Sequence, residues 1–72
     1  MANITEQVNK LAVDWLYNKG GDVFEVGGVL FTFDFSESGR YEVRAFFKLI
    51  GHTTNHKDFR DSGHCVSAYL AK

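Results

Sequence analysis

Residues 23–35, VFEVGGVLFTFDF, place two adjacent glycines between two runs in which apolar side chains recur at every second position. Glycine reaches positive φ without a steric penalty, and the tightest link between antiparallel strands is a two-residue turn with positive φ at both positions. With Gly27 and Gly28 in such a turn, Val26 is predicted opposite Val29 and Phe24 opposite Phe31. Side chains alternate across a strand, so these four share one face, which Phe33 and Phe35 continue. Val23, Glu25, Leu30, Thr32 and Asp34 take the other face.

A second turn follows from ESG, residues 37–39, which fits a three-residue hairpin loop with Gly39 at the left-handed position. It sets Ser36 against Arg40, Phe35 against Tyr41, Phe33 against Val43, Phe31 against Ala45 and Val29 against Phe47, with Leu49 extending the row. The third strand is thereby expected to run on to Ile50, and Gly51 to close it. Two turns placed independently select the same apolar face, and that agreement between levels is itself informative.

Ahead of the hairpins, Asn3 can cap a helix, with Glu6 at the spacing of a capping box. Ile4, Val8, Leu11 and Trp15 then recur at helical spacing with Leu16 beside them. Lys19 suits the negative end of the helix dipole, and Gly20 can supply a left-handed stop, which predicts a helix over 4–18.

The last segment, GHTTNHKDFRDSGHCVSAYLAK, admits two readings. As a helix it is capped by Asn55 and buries Phe59, Val66 and Leu70, with Gly63 in the same stripe and a possible break there. As a strand it alternates Val66, Ala68 and Leu70, which leaves some twelve residues of structureless loop before it, a poor fit to a compact domain. The expected architecture is a single small α+β domain over residues 1–72. It has an N-terminal helix packed on a three-stranded antiparallel β-meander with a C-terminal helix, αβββα, with a fourth strand as the alternative.

At 72 residues the chain buries only about 60% of its unfolded surface, so seven Phe, three Tyr and one Trp must supply much of the core. Oligomerisation is a natural supplement. A single cysteine excludes an intramolecular disulfide and suits a reducing, cytoplasmic setting. The start, MANITEQVNK, has no basic segment followed by an apolar run, and no stretch approaches the ~20 apolar residues of a membrane span. Net charge is −1, distributed as −3 over residues 1–36 and +2 over 37–72.

His52, His56, His64 and Cys65 form the densest group of potential metal ligands. No CxxC or HExxH spacing accompanies them, and adjacent His64 and Cys65 diverge on a helix, so His56, Arg60 and His64 read as a solvated face and Cys65 as a small packer. Asp34 and Glu42 fall opposite each other on the outer sheet face, where paired carboxylates can exchange protons or hold a cation. Arg44, two residues from Glu42, makes a partly neutralised surface pair the simpler account. The glycines form no phosphate-cradling pattern. No nucleophile, base and oxyanion donor can be assembled, so neither an enzyme nor a cofactor or metal site is expected.

The outer sheet face carries Val23, Leu30, Phe46 and Ile50 among Glu25, Thr32, Arg44 and Lys48, an apolar cluster with a charged rim. The C-terminal segment either crosses this face or joins the first helix on the inner one and leaves it open. The function expected is that of a cytoplasmic protein-interaction module, inhibitor-like or regulatory as in small phage proteins, acting as a homodimer with Val23, Leu30, Arg44, Phe46, Lys48 and Ile50 at the contact. The alternative is nucleic-acid binding, with Arg44, Phe46 and Lys48 alternating along one strand to hold phosphates beside a stacked base and His56, Lys57, Arg60 and His64 adding a basic helical face. The element order is similar to that of double-stranded-RNA-binding domains. The lysine-rich start of their last helix is absent from NHKDFRDSGH, so no family is assigned.

Overall fold

The computed structural model describes residues 3–72; Met1 and Ala2, the start of the segment read above for a targeting signal, lie outside the described residues. Helix α1 spans Ile4–Tyr17, followed by strands β1 (Val23–Val26), β2 (Val29–Phe35), β3 (Tyr41–Ala45) and β4 (Lys48–Thr53), then helices α2 (His56–Phe59) and α3 (Gly63–Leu70). The strands form one antiparallel sheet in the order β1-β2-β3-β4. All three helices lie against one face of that sheet: Val8 and Ala12 of α1, Phe59 of α2 and Val66 of α3 join Phe31, Phe33, Val43 and Ala45 in a single buried core. The protein is α+β, as its sequence predicts.

Both predicted turns are present. Gly27 and Gly28 have φ of 60° and 78°, and Val26 faces Val29 while Phe24 faces Phe31. Gly39 has φ of 86°, and the Ser36 and Arg40 backbones meet as expected, so Phe35 pairs with Tyr41, Phe33 with Val43 and Phe31 with Ala45. The ladder therefore turns Phe31 and Phe33 inward. Trp15 lies 5.6 Å from Phe33 and 5.4 Å from Phe59, Phe24 lies 4.9 Å from Phe33, and Tyr69 meets Phe31 edge-on at 5.8 Å. Such ring pairs add about 0.5–1.5 kcal/mol each beyond area burial, which matters in a core this small.

The third strand departs from expectation. It ends at Ala45, and Phe46 and Phe47 form another two-residue turn with φ of 49° and 68°, after which Lys48 pairs back with Ala45. The fourth strand is therefore Lys48–Thr53, while the Val66–Leu70 region is helical. A β-bulge at Val43/Arg44 brings Gly51 opposite Val43 and Leu49 opposite Arg44, so Leu49 leaves the inner row and Ile50 packs on the core.

Asn3 caps α1 as predicted, its Oδ1 accepting the Glu6 N–H at 2.8 Å. The helix stops one residue early, at Tyr17, and Lys19 rather than Gly20 takes positive φ, 53°. The Gly20 N–H instead donates to the Asp14 carbonyl, an approach so close that a Cβ on Gly20 would lie 2.9 Å from that of Asp14. The buried stripe is also rotated: Val8 and Ala12 are fully buried, while Ile4 and Leu11 are exposed. The cause is α3, which packs along the Thr5 and Asn9 side of α1.

That contact depends on a missing side chain. The Ser62 side chain does not cap α3, and the Gly63 N–H donates instead to Asn9 Oδ1 at 2.8 Å, while Thr5 and Ser67 share a hydroxyl hydrogen bond. A Cβ on Gly63 would sit 2.2 Å from the Thr5 carbonyl oxygen and 2.6 Å from Asn9 Oδ1. Helix propensity alone favours Gly63→Ala by about 1 kcal/mol, whereas overpacking costs about 1–3 kcal/mol and the cross-helix bond adds about 1 kcal/mol. Packing wins, so Gly63→Ala is expected to lose about 2 kcal/mol in urea denaturation. An unchanged or raised midpoint would mean that α1 and α3 are not held this closely.

Candidate functional site

With α2 and α3 beside α1, nothing in the described chain covers the opposite sheet face. Reading across the strands, its rows are Glu25 and Leu30 beside Phe46; Val23, Thr32, Arg44 and Leu49; and Asp34, Glu42 and His52. The first row is mainly apolar, the second half apolar, and the third polar and charged. Val23 is 55% exposed, Leu49 41% and Phe46 52%, so three large apolar side chains stand uncovered on this side of the sheet.

Four of the six expected contact residues belong to this surface: Val23, Leu30 and Arg44 on the strands, and Phe46 at its lower end. Ile50 and Lys48 do not. The bulge carries Ile50 to the core, and Lys48, paired with Ala45, falls on the helix-bearing side. Leu49 takes the place read for Ile50. The same break in β3 separates Arg44, Phe46 and Lys48, so the alternating basic and aromatic stripe required for base stacking is not formed.

The charged row is organised around Glu42, which is only 2% exposed although it lies on the open face. Period-two spacing along β3 places Arg40 and Arg44 on either side of it. Arg40 Nη2 donates to Oε2 at 2.7 Å and Arg44 Nη2 to Oε1 at 2.8 Å. The guanidinium groups both neutralise the carboxylate and cover it. The Arg44 hydrogen bond, with the nearby Arg40 charge adding to it, holds the Glu42 carboxyl below its ordinary pKa against the opposing effect of burial. Across the strand, Asp34 accepts the Phe35 N–H through its own carboxylate at 2.8 Å. Asp34 and Glu42 are thus neighbours with separate partners, and a carboxylate clamped by two arginines is a poor proton carrier.

Arg44 has a second role, as its Nη1 donates to the Phe47 carbonyl at 3.3 Å and ties the β3–β4 turn to the strand. That turn holds two bulky residues in left-handed backbone, where a non-glycine residue costs roughly 1–2 kcal/mol. Both rings point outward, Phe47 at 69% exposure. No local signal marks this turn, because neither residue is one that such turns select.

The potential metal ligands disperse. His52 stands opposite Glu42, His56 packs edge-on against Tyr17, and Cys65 lies beneath Gly51, whose absent Cβ leaves room for its sulfur. Among the described residues no three of His, Cys, Asp and Glu converge on one point. No helix among them is long and apolar enough to cross a membrane.

Because the folded Glu42 pKa lies below its unfolded value of about 4.3, its contribution to stability is complete above that value and disappears as pH falls through the folded one. Thermal denaturation across acid pH is therefore expected to show a shallower loss of stability for Glu42→Gln than for the unaltered protein. Parallel curves would show that the two arginines do not favour the ionised form. Comparison with protein-family models, with characterised proteins and with solved structures gives no match for this chain.

Proposed function

We propose that this protein is a small interaction module whose open sheet face docks on a partner protein, in the manner of a dedicated inhibitor or accessory regulator, and that it works as a homodimer in the cytoplasm. The observation that carries this reading is the one-sided placement of the helices. No element among the described residues covers Val23, Phe46 and Leu49, with half-buried Leu30 between them, and uncovered apolar side chains rimmed by polar ones have the anatomy of a contact surface. The rim consists of Glu25, Thr32, Arg44 and His52.

The Arg40–Glu42–Arg44 clamp supports the same reading. It fixes two long side chains flat against the strand, so part of the ordering cost of binding is met before contact. It also makes the row of Asp34, Glu42 and His52 a polar boundary that orients a partner.

Capture of a partner by tagged protein in cells of its host tests the docking face. Val23→Asp and Leu49→Asp each place a charge in the apolar rows, and each is expected to weaken a stoichiometric complex by about tenfold to a hundredfold, equivalent to about 1.5–3 kcal/mol per lost side chain. Lys10→Asp, on the far side of α1, is expected to leave the complex intact. Circular dichroism confirms that the variants remain folded. Equal capture by all three would remove the sheet face as the contact.

A further inference from the structure

The β3–β4 turn is where local chemistry and fold disagree most. At Gly27–Gly28 the same two-residue geometry is filled by the residues that suit it, but at Phe46–Phe47 it is filled by two aromatic side chains in left-handed backbone. Neither ring belongs to the core cluster, and they are 52% and 69% exposed. The turn serves the fold but the two rings add nothing to the core, and strain carried by such side chains points to a use outside the fold.

A cleft large enough to take a ring lies on the same edge of the molecule. Between β4 and α3 is a cavity of about 330 Å³, lined by Leu49, Ile50, Cys65, Ala68, Tyr69 and Lys72. Leu49 is two residues from Phe47, so knob and hole are adjacent. A two-fold interface requires one patch that complements itself, each protomer offering to its partner what it receives. A projecting ring beside an open cleft satisfies that requirement, and a single association covers Phe47, Leu49 and Ile50 together. β4 is also an outer strand of the sheet, with unpaired backbone groups that need protection. A net charge of −1 gives two copies little cause to repel each other.

We propose that the chain forms a two-fold homodimer in which Phe47 of each protomer inserts into the partner's β4–α3 cleft, with Phe46 packing over the rim at Leu49. The inference rests on the interaction reading for the dimeric state but assigns it to the β4 edge. The dimer then covers Phe46 and Leu49 and leaves Val23, Leu30 and Thr32 of the open sheet face for a different partner.

Sedimentation equilibrium of the purified protein from micromolar to millimolar concentration tests this with two kinds of variant. Phe46→Asn with Phe47→Gly supplies the residues the turn prefers, and it is expected to melt at a higher temperature while dimerising at least about a hundredfold more weakly. Ala68→Trp blocks the cleft from an exposed position, leaves the turn unaltered, and is expected to be monomeric too. Mixing the two restores one knob and one open cleft, so a weak heterodimer should form. The proposal is overturned by a wild-type protein that stays monomeric at millimolar concentration, by turn or cleft variants that dimerise as well as wild type, or by a mixture that does not associate. If dimerisation withstands the turn variant but yields to Val23→Asp, the contact is the sheet face, and the docking reading survives without the Phe47 insertion.

Discussion

The structure depends on strand phase. Side chains alternate, so a slip of one residue in β2 would turn Phe31 and Phe33 outward and take from Trp15, Phe59 and Tyr69 the rings of β2 on which they pack. Two glycine-containing turns, one on each side of β2, prevent that slip. Gly27–Gly28 fixes β2 against β1, Gly39 fixes it against β3, and both agree on the inward row. Everything the helices do follows from that agreement, since each of them contributes side chains to the surface the row provides.

The phase also determines what is left over. Once Phe31, Phe33, Val43 and Ala45 are committed to the core, the alternate positions must face away from all three helices. Two different solutions occupy that outer side. In the row of Glu42, ionic pairing along one strand covers a carboxylate without any second layer of protein. In the rows of Val23 and Leu30, apolar side chains remain uncovered. A chain of this length can build one core, and its remaining apolar surface has to be covered from outside or carried as a liability.

The sequence made legible what local rules govern: the cap at Asn3, the glycine turns, the register of three strands and the inward row. It concealed what tertiary contact decides. Nothing local marks Phe46–Phe47 as a turn, because the residues oppose the conformation, and without that turn β3 reads straight through to Ile50. The bulge at Val43/Arg44 is equally silent, and it exchanges the roles of Leu49 and Ile50. On α1, periodicity identified an apolar stripe, yet its exact centre depends on α3 docking beside Thr5 and Asn9, a contact 54 residues away in sequence. The one available hint was Gly63: a glycine inside an otherwise helical pattern usually has a packing reason.

Within the sheet these departures are not scattered. The unmarked turn, the bulge and the misassigned Leu49 and Ile50 all fall within residues 43–51, where β3 meets β4, whereas the pairing of β2 with β1 and with β3 follows the glycine turns. Sequences are locally consistent where only folding constrains them, and they depart from consistency where something else does. A single strained residue could be an accident of packing. A strained pair with both rings in solvent, held to its strand by the Arg44–Phe47 hydrogen bond and placed next to a cleft, fits the contact proposed above. The edge that most defeats prediction is for that reason where the proposed contact is placed.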